Sequence, residues 1–335
     1  METVQDARLR QKGCILALGE LLVDLIPGKE GMRIDQEGPV IKTASGSAGI
    51  FACAAALLGG CGAFIGKVGR DSLSRMVVST LRSQGVDLSR LVESASGQLG
   101  LAFLEYLPEG RNYQYYRKNS VGSTLCADDL DEAYIRSAFA VHFPGMLLEL
   151  TPQMAGACRR LVEVARDAGV LVSFDPNIRR ELSADGEARR RLDWALEHAD
   201  VIKPTLAEGQ AITGTRTVGD VLRALHAMGP RVVAISRDKD GAVISRDGQV
   251  AVAAGIDEPA VDPTGAGDTF AAALCVGLRE EMPLDRLACF CNCAGTLVIR
   301  HKGAIGMALP ARSEVEALMA SGACRVELAA LEQLP

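Results

Sequence analysis

Between Cys14 and Ile235 the sequence switches repeatedly between two hydrophobic periods, and this alternation constrains the fold more than any other feature. Short apolar runs of strand length read at Cys14–Leu18, Ala63–Gly66, Ala138–Phe143, Val170–Phe174, Asp200–Ile202 and Arg231–Ile235. Between them lie helical patterns at Ala48–Leu58, Ser72–Gln84, Thr151–Ala168, Glu187–His198 and Val218–Met228. Strands alternating with helices of this length predict an α/β fold of repeated βαβ units, doubly wound on a mostly parallel sheet with helices on both faces. Toward the C-terminus the pattern changes, with helices at Gly265–Gly277, Leu284–Ile299 and Arg312–Met319 and few strand candidates between them. Neither a repeat nor a Pro- or Ser-rich linker divides the chain, so residues 1–335 read as a single domain.

One region does not fit a parallel core. Gly97–Leu107 and Asn112–Lys118 are rich in aromatic and β-branched residues, and PEGR between them is turn material, so the pair reads as a hairpin. With Met32–Lys42 as a second extended candidate, insertions at about 31–43 and 97–119 are expected to form a small sheet over one end of the core. At this size they make a lid, since neither could supply a core of its own.

Charge and cysteine content narrow the class of protein. The 36 basic residues against 42 acidic ones leave a net charge of -6, a field that disfavours nucleic acid as a partner while leaving room for a local phosphate site. Ten cysteines scattered through a chain with a large apolar fraction predict reduced thiols in a cytoplasmic protein. The opening METVQDARLRQKG is charged and leads directly into a strand, unlike a secretory leader. Residues 43–66 carry no charge but are dominated by Gly, Ala and Ser, which predicts a buried helix–strand unit and no membrane span. His142, His198, His226 and His301 show no ligand spacing, and Cys289, Cys291 and Cys293 lack a completing His or Cys pair, so core thiols are expected there and no structural metal.

The chemistry concentrates at Val261–Phe270, VDPTGAGDTF. Gly265, Ala266 and Gly267 introduce a helix, and their small size lets the unpaired N–H groups of its first turn approach an anion. Asp268 lies within that positive end, placed either to cap the helix or to take a proton from an attacking hydroxyl.

At this motif the chain resembles the ribokinase-like carbohydrate kinases of the PfkB family, and the resemblance runs along nearly its whole length. It is carried by GELLVDLIP at 19–27, CGAFIGKVGRDSL at 61–73, YYRKNS at 115–120, VSFDPNIR at 172–179, VDPTGAGDTF at 261–270 and NCAGTLVIRHKGAIGMALP at 292–310. The first, fourth and sixth look most like fructokinases, whereas the stretch around YYRK also looks like 2-keto-3-deoxygluconate kinases. What the resemblance implies is a sugar held between lid and core and ATP bound beside the C-terminal part. Asp268 would deprotonate the sugar hydroxyl, and the amides of Gly265, Ala266 and Gly267 would form an anion hole. Asp24, Gly46, Tyr115, Arg117, Asn177 and Arg179 would face the sugar or the transferred phosphate. Lys203, Ser236, Asp238, Gly241 and Asn292 would serve the nucleotide, and Glu208 would reach Mg²⁺ through water. The resemblance also leaves room for a monovalent cation such as K⁺ and for a homodimer formed through the β lid.

Strand alternation sets Tyr115 and Arg117 on one face and Tyr116 on the other, so only the first two are expected at the ligand. The family's Asn-x-x-Glu reads TLAE here, with Thr205 and Glu208 also at capping-box spacing. Ile50 stands where relatives carry a sugar-binding Asn, Ala102 and Ile178 where keto-deoxygluconate kinases carry Tyr, and Asp238 where the nucleotide loop usually has Gly. Three readings follow: a fructokinase, a 2-keto-3-deoxygluconate kinase, or a non-catalytic protein that binds sugar or nucleotide.

Overall fold

Nine strands form the main sheet of the computed structural model, which describes residues 13–29, 31–107, 110–178, 186–306 and 308–334. The first third contains β1 (Ile15–Leu18), β2 (Leu22–Pro27), β3 (Val40–Ser45), α1 (Ser47–Leu57), β4 (Gly62–Ile65), β5 (Lys67–Val68), α2 (Ser72–Ser83) and β6 (Val92–Glu93). There follow β7 (Gly100–Leu107), β8 (Gly110–Tyr116), α3 (Glu132–Arg136), β9 (Ala140–Pro144), α4 (Pro152–Asp167), β10 (Leu171–Asp175) and α5 (Gly186–His198). Next come β11 (Val201–Ile202), α6 (Leu206–Thr213), α7 (Val218–Ala227), β12 (Val232–Ser236), β13 (Ala242–Arg246) and β14 (Gln249–Ala253). The chain closes with α8 (Ala266–Arg279), α9 (Leu284–Val298), α10 (Arg312–Ala320) and β15 (Val326–Ala330).

The main sheet runs β15-β14-β13-β12-β11-β10-β9-β1-β4, parallel from β4 through β12 and antiparallel from β12 to β15. Helices cover both faces: α1, α8 and α9 pack in one apolar cluster, and α4, α5 and α7 in the other. This is the doubly wound, ribokinase-like arrangement. The antiparallel edge goes beyond the periodicity reading. Its β13–β14 hairpin turns at Asp247 and Gly248, with φ of 53° and 75°, the left-handed pair that matches strand twist.

The charge-free stretch at 43–66 is explained by α1, whose Ala48–Ala55 are buried without interruption. A helix enclosed on all sides needs small side chains, so that sheet and helix can approach it closely. Among the described residues no helix is long and apolar enough to cross a membrane.

A four-stranded sheet, β3-β2-β7-β8, forms the lid. Its β7–β8 hairpin is the one expected, with residues 108–109 of its turn outside the described residues. The second extended pair is different from the one anticipated at Met32–Lys42. Only its end belongs to a strand, Val40–Ser45, and the partner is β2, antiparallel to β3 and parallel to β7. The apolar run after Cys14 is thus two strands in two sheets, because the chain leaves the core at Gly19–Leu21 and continues directly into the lid.

Cys291 and Cys293 are buried in the core and Cys289 packs against it, as expected of core thiols, and the sulfurs of Cys289 and Cys293 lie 4.0 Å apart. Cys324, distant in sequence, joins them, and all three sulfurs lie within 4.8 Å of one another.

Candidate active site

A cavity of about 240 Å³ opens between the lid and the ends of the parallel strands, below the range usual for drug-sized ligands and suited to one small polar molecule. Loops after β1 and β9 bring Glu20 and Met146, the loop after β10 brings Asn177, and the lid contributes Asp24, Tyr115 and Arg117. Gly46, Gly265 and Asp268 complete the floor. Arg179 lies outside the described residues.

The floor is built by the start of α8. Gly265 is its N-cap with φ of 86°, a left-handed conformation that a residue with a Cβ adopts only under strain. Ala266 donates its amide to Pro263 O at 3.2 Å, while the amides of Gly267 and Asp268 have no backbone acceptor among the described residues. Of the set expected at Gly265, Ala266 and Gly267, the Ala266 N–H is thus committed to the tight turn at Pro263, while Gly265, like Gly267 and Asp268, has no backbone acceptor among the described residues. Asp268 opens only onto the cleft and accepts a short hydrogen bond from Ser47 Oγ. Burial pushes its carboxyl up to about 7, with Asp175 adding repulsion, against the opposing influences of Ser47 and Lys203. A carboxylate poised near neutrality on a helix N-terminus can accept a proton at working pH.

Beneath it lies a buried charge cluster. Lys203 Nζ is 2.9 Å from Asp175 Oδ2, and both side chains are 5% exposed. Burial opposes the Lys203 charge, but Asp175, supported by Glu208 and Asp268, holds its pKa above the ordinary value. The ammonium is also aimed at the start of α8, since a Cβ on Gly267 would lie 3.0 Å from Nζ. Glu208 closes the capping box: Oε2 accepts from Thr205 N at 2.8 Å and Oγ1 at 2.9 Å, while Oε1 accepts from Ile178 N at 2.7 Å. Burial and Asp175 raise its pKa. Its Oε1 retains a lone pair, which suits a water held by a cation better than direct ligation. Asn177 has a left-handed φ of 42°, and its amide caps Asp175 Oδ1 at 3.1 Å.

The lid adds residues that sequence reasoning missed. Arg117 Nη1 donates to Glu20 Oε1 and its guanidinium lies 4.7 Å over the Tyr115 ring, while Tyr116 points away and is exposed. Arg111, read from sequence only as part of a turn, binds Asp262 at 3.2 Å, and Tyr106 OH reaches the other oxygen of Asp262 at 3.0 Å. Asp262 is fully buried, so it secures the lid to the core. Asp24, on the lid strand β2, is buried, with its pKa pushed up to about 6 by burial and by Asp262, against a hydrogen bond from Ser45. Ala102 is buried in the lid's own apolar cluster and does not line the cavity. Ile50 lines it, buried against Gly265.

Ser236, Asp238, Gly241 and Asn292, the other residues expected at the nucleotide, do not line this cavity. Ser236 ends β12, and Asp238 begins the following turn with φ of 49°, the conformation that explains the usual Gly; its side chain is exposed. Gly241 is required by φ of 88° and by Ala253 O, which would lie 2.2 Å from a Cβ. Asn292, on α9, is buried, and its side-chain amide donates to Ala254 O at 2.8 Å, so that N–H is committed within the protein. The signals for Ser47, Glu20 and Arg111 lie in SGS, GELL and PEGR, which identify the residues but not their long-range partners.

The model of the pfkB family of carbohydrate kinases matches residues 13–312. The chain is 32% identical over 314 residues to "Probable fructokinase-2" of Arabidopsis thaliana, covering 90% of this chain and 94% of that one. It is likewise 32% identical over 318 residues to "Fructokinase-1" of Oryza sativa subsp. japonica, covering 92% and 98%. A putative ribokinase II from E. coli, solved in complex with ATP and Mg²⁺, superposes with a TM-score of 0.87 at 26% identity, over 92% of this chain and 99% of that one. The match over nearly the whole chain, on a fold that sets a carboxylate and free amides at one helix end, means that this protein belongs to the pfkB family of carbohydrate kinases and is an ATP-dependent sugar kinase.

Proposed function

We propose that the sugar is D-fructose and the product fructose 6-phosphate. The observation that carries this reading is the charge balance of the cleft: each described cation facing it is already paired with an internal carboxylate, Arg117 with Glu20 and Arg111 with Asp262. Asp24 and Asp268 add further acid. A carboxylate-bearing keto sugar would have to enter against this field, whereas a neutral hexose can exchange hydrogen bonds with the same groups. The fructokinase names of the relatives support the same choice.

In the mechanism that follows, Asp268 accepts the proton of the attacking hydroxyl as its oxygen bonds to the γ-phosphorus and the bond to ADP breaks. The amides of Gly267 and Asp268, with Lys203 behind them, offset the charge on the transferred group. Ser47 keeps the Asp268 carboxylate oriented. Mg²⁺ bound with ATP would supply charge neutralisation on the phosphates, with Glu208 holding one of its waters; K⁺ is a further cofactor in this reading. Asn177 positions the loop beside the transfer site. The exposed Val40, Ile41 and Tyr116 of the lid support pairing of two copies through it.

Competition between fructose and 2-keto-3-deoxygluconate with Mg-ATP tests the proposal. Fructose is expected to have the larger kcat/KM. A larger value for the keto acid reverses the substrate assignment, and sugar binding without ADP release supports the non-catalytic alternative.

A further inference from the structure

The cluster at Cys289, Cys293 and Cys324 is remote in chemistry from sugar phosphorylation and has no role in the mechanism above. Cys289 and Cys293 are one turn apart on α9, and Cys324 comes from the segment preceding the edge strand β15. Zinc–thiolate bonds of about 2.3 Å place two sulfurs about 3.8 Å apart at the tetrahedral angle and about 4.0 Å apart in a trigonal plane. The Cys289–Cys293 sulfur separation is 4.0 Å, and the third sulfur is within 4.8 Å of both, so three S–metal bonds need little movement.

The surroundings also supply an outer partner for the cluster. Asn292 Nδ2 donates to Cys324 Sγ at 3.5 Å while also bonding Ala254 O, which fixes the amide as an outer partner of the sulfur. Cys289 and Cys324 are half-buried, which leaves a route from solvent to the cluster. A disulfide within α9 is the poorer alternative, because side chains one turn apart have Cβ atoms about 5–6 Å apart, beyond the roughly 3.5–4.5 Å that a disulfide spans.

We propose that Cys289, Cys293 and Cys324 form a three-thiolate site for one soft divalent cation of the Zn²⁺ type, with water in the fourth position. Binding exchanges three S–H protons, released to solvent, for three S–metal bonds and ties α9 to the segment that leads into β15.

The test uses the full-length protein, reduced with a phosphine and titrated with Zn²⁺ against a chromogenic chelator, with Co²⁺ as a spectroscopic probe. One Zn²⁺ per chain, a thiolate-to-cobalt charge-transfer band, proton release and a raised Tm are expected. Cys289→Ser and Cys324→Ser, each checked for native circular dichroism, should weaken binding by about 100-fold or more, at or beyond the top of the range for losing an outer-shell partner. Cys291→Ala should bind as the parent does. Three outcomes overturn the proposal: no stoichiometric metal, binding indifferent to both Ser variants, or loss of two titratable thiols on air oxidation with no metal uptake by the reduced protein.

Discussion

Two carboxylates six residues apart in the chain, Asp262 and Asp268, stand on either side of the same glycine turn and have opposite surroundings. Asp262 is fully enclosed and accepts hydrogen bonds from Tyr106, Arg111, Thr264 N and Oγ1, and Gly303 N. Asp268 is half-buried at the cleft and takes a side-chain bond only from Ser47 among the described residues, and its pKa is pushed up to about 7. A buried carboxylate saturated with donors holds structure together, because any change of state would strand its partners. A carboxylate left short of donors keeps both basicity and a free oxygen for a substrate. In the mechanism proposed, the difference separates lid attachment from proton transfer within a single motif.

The largest effect should come from removing the basic member of this pair. Asp268→Asn keeps the size and the helix-end polarity but cannot take the hydroxyl proton, so kcat should fall by roughly 10² or more while ATP affinity changes little. Steady-state rates at saturating sugar, with nucleotide binding measured separately, read both quantities. A folded variant with near-normal kcat would remove Asp268 from the chemistry and leave the contrast with Asp262 without functional meaning.

Weakening the other member should act on binding. Arg111→Ala deletes the lid's charged contact with Asp262, with Tyr106 and Gly303 still bonded to that carboxylate. Hydrogen bonds to charged groups contribute about 1.5–3 kcal/mol, and the partly exposed guanidinium belongs at the lower end. KM for the sugar should therefore rise about tenfold, with a smaller change in kcat. An equal loss in kcat and none in KM would show that this contact shapes the transition state and does not serve to hold the lid.

That contact also marks the limit of what sequence shows. Gly265 and Asp268 are legible because a helix start is a local event whose glycine and acid stand next to each other. Tyr115 and Arg117 are legible because strand alternation is equally local. By contrast, Arg111 meets Asp262 across 151 positions and Ser47 meets Asp268 across 221, and no periodicity encodes such partners. The lid strand β2 was hidden for a related reason: it continues an apolar run from β1, and only tertiary pairing shows that the chain has changed sheets. Cys324 gave no signal at all until folding set it beside α9.

The under-solvated state of Asp268 has a pH signature. The proposed base Asp268 must be ionised to act, so kcat/KM should fall as pH drops through about 7. For stability the sign is set by a folded pKa above the unfolded value: the contribution is present below about 4 and lost as pH rises through about 7. Ser47 donates to the charged form, so Ser47→Ala should move the acid limb of kcat/KM upward by up to about one pH unit. An unmoved limb in that variant would assign the titration to another group, with Asp24, at about 6, the first to examine.

The smallest effect expected concerns the apolar member of the cleft. Ile50 stands 3.1 Å from the point where a Cβ on Gly265 would lie and is 3% exposed, so it packs on the turn that carries Asp268. Asn at this position would exchange packing for an amide able to meet a sugar hydroxyl. Gaining one good hydrogen bond contributes about 1 kcal/mol, a roughly fivefold fall in KM for fructose, while the lost apolar contact should lower Tm. Sugar titration well below the melting transition separates these effects. An unchanged KM would mean that the sugar does not reach this wall, and a higher one would mean that the isoleucine contact belongs to the natural substrate. In that second case the cleft has been reshaped for a ligand with an apolar edge at Ile50, and the choice of fructose fails while the proton-transfer role of Asp268 stands.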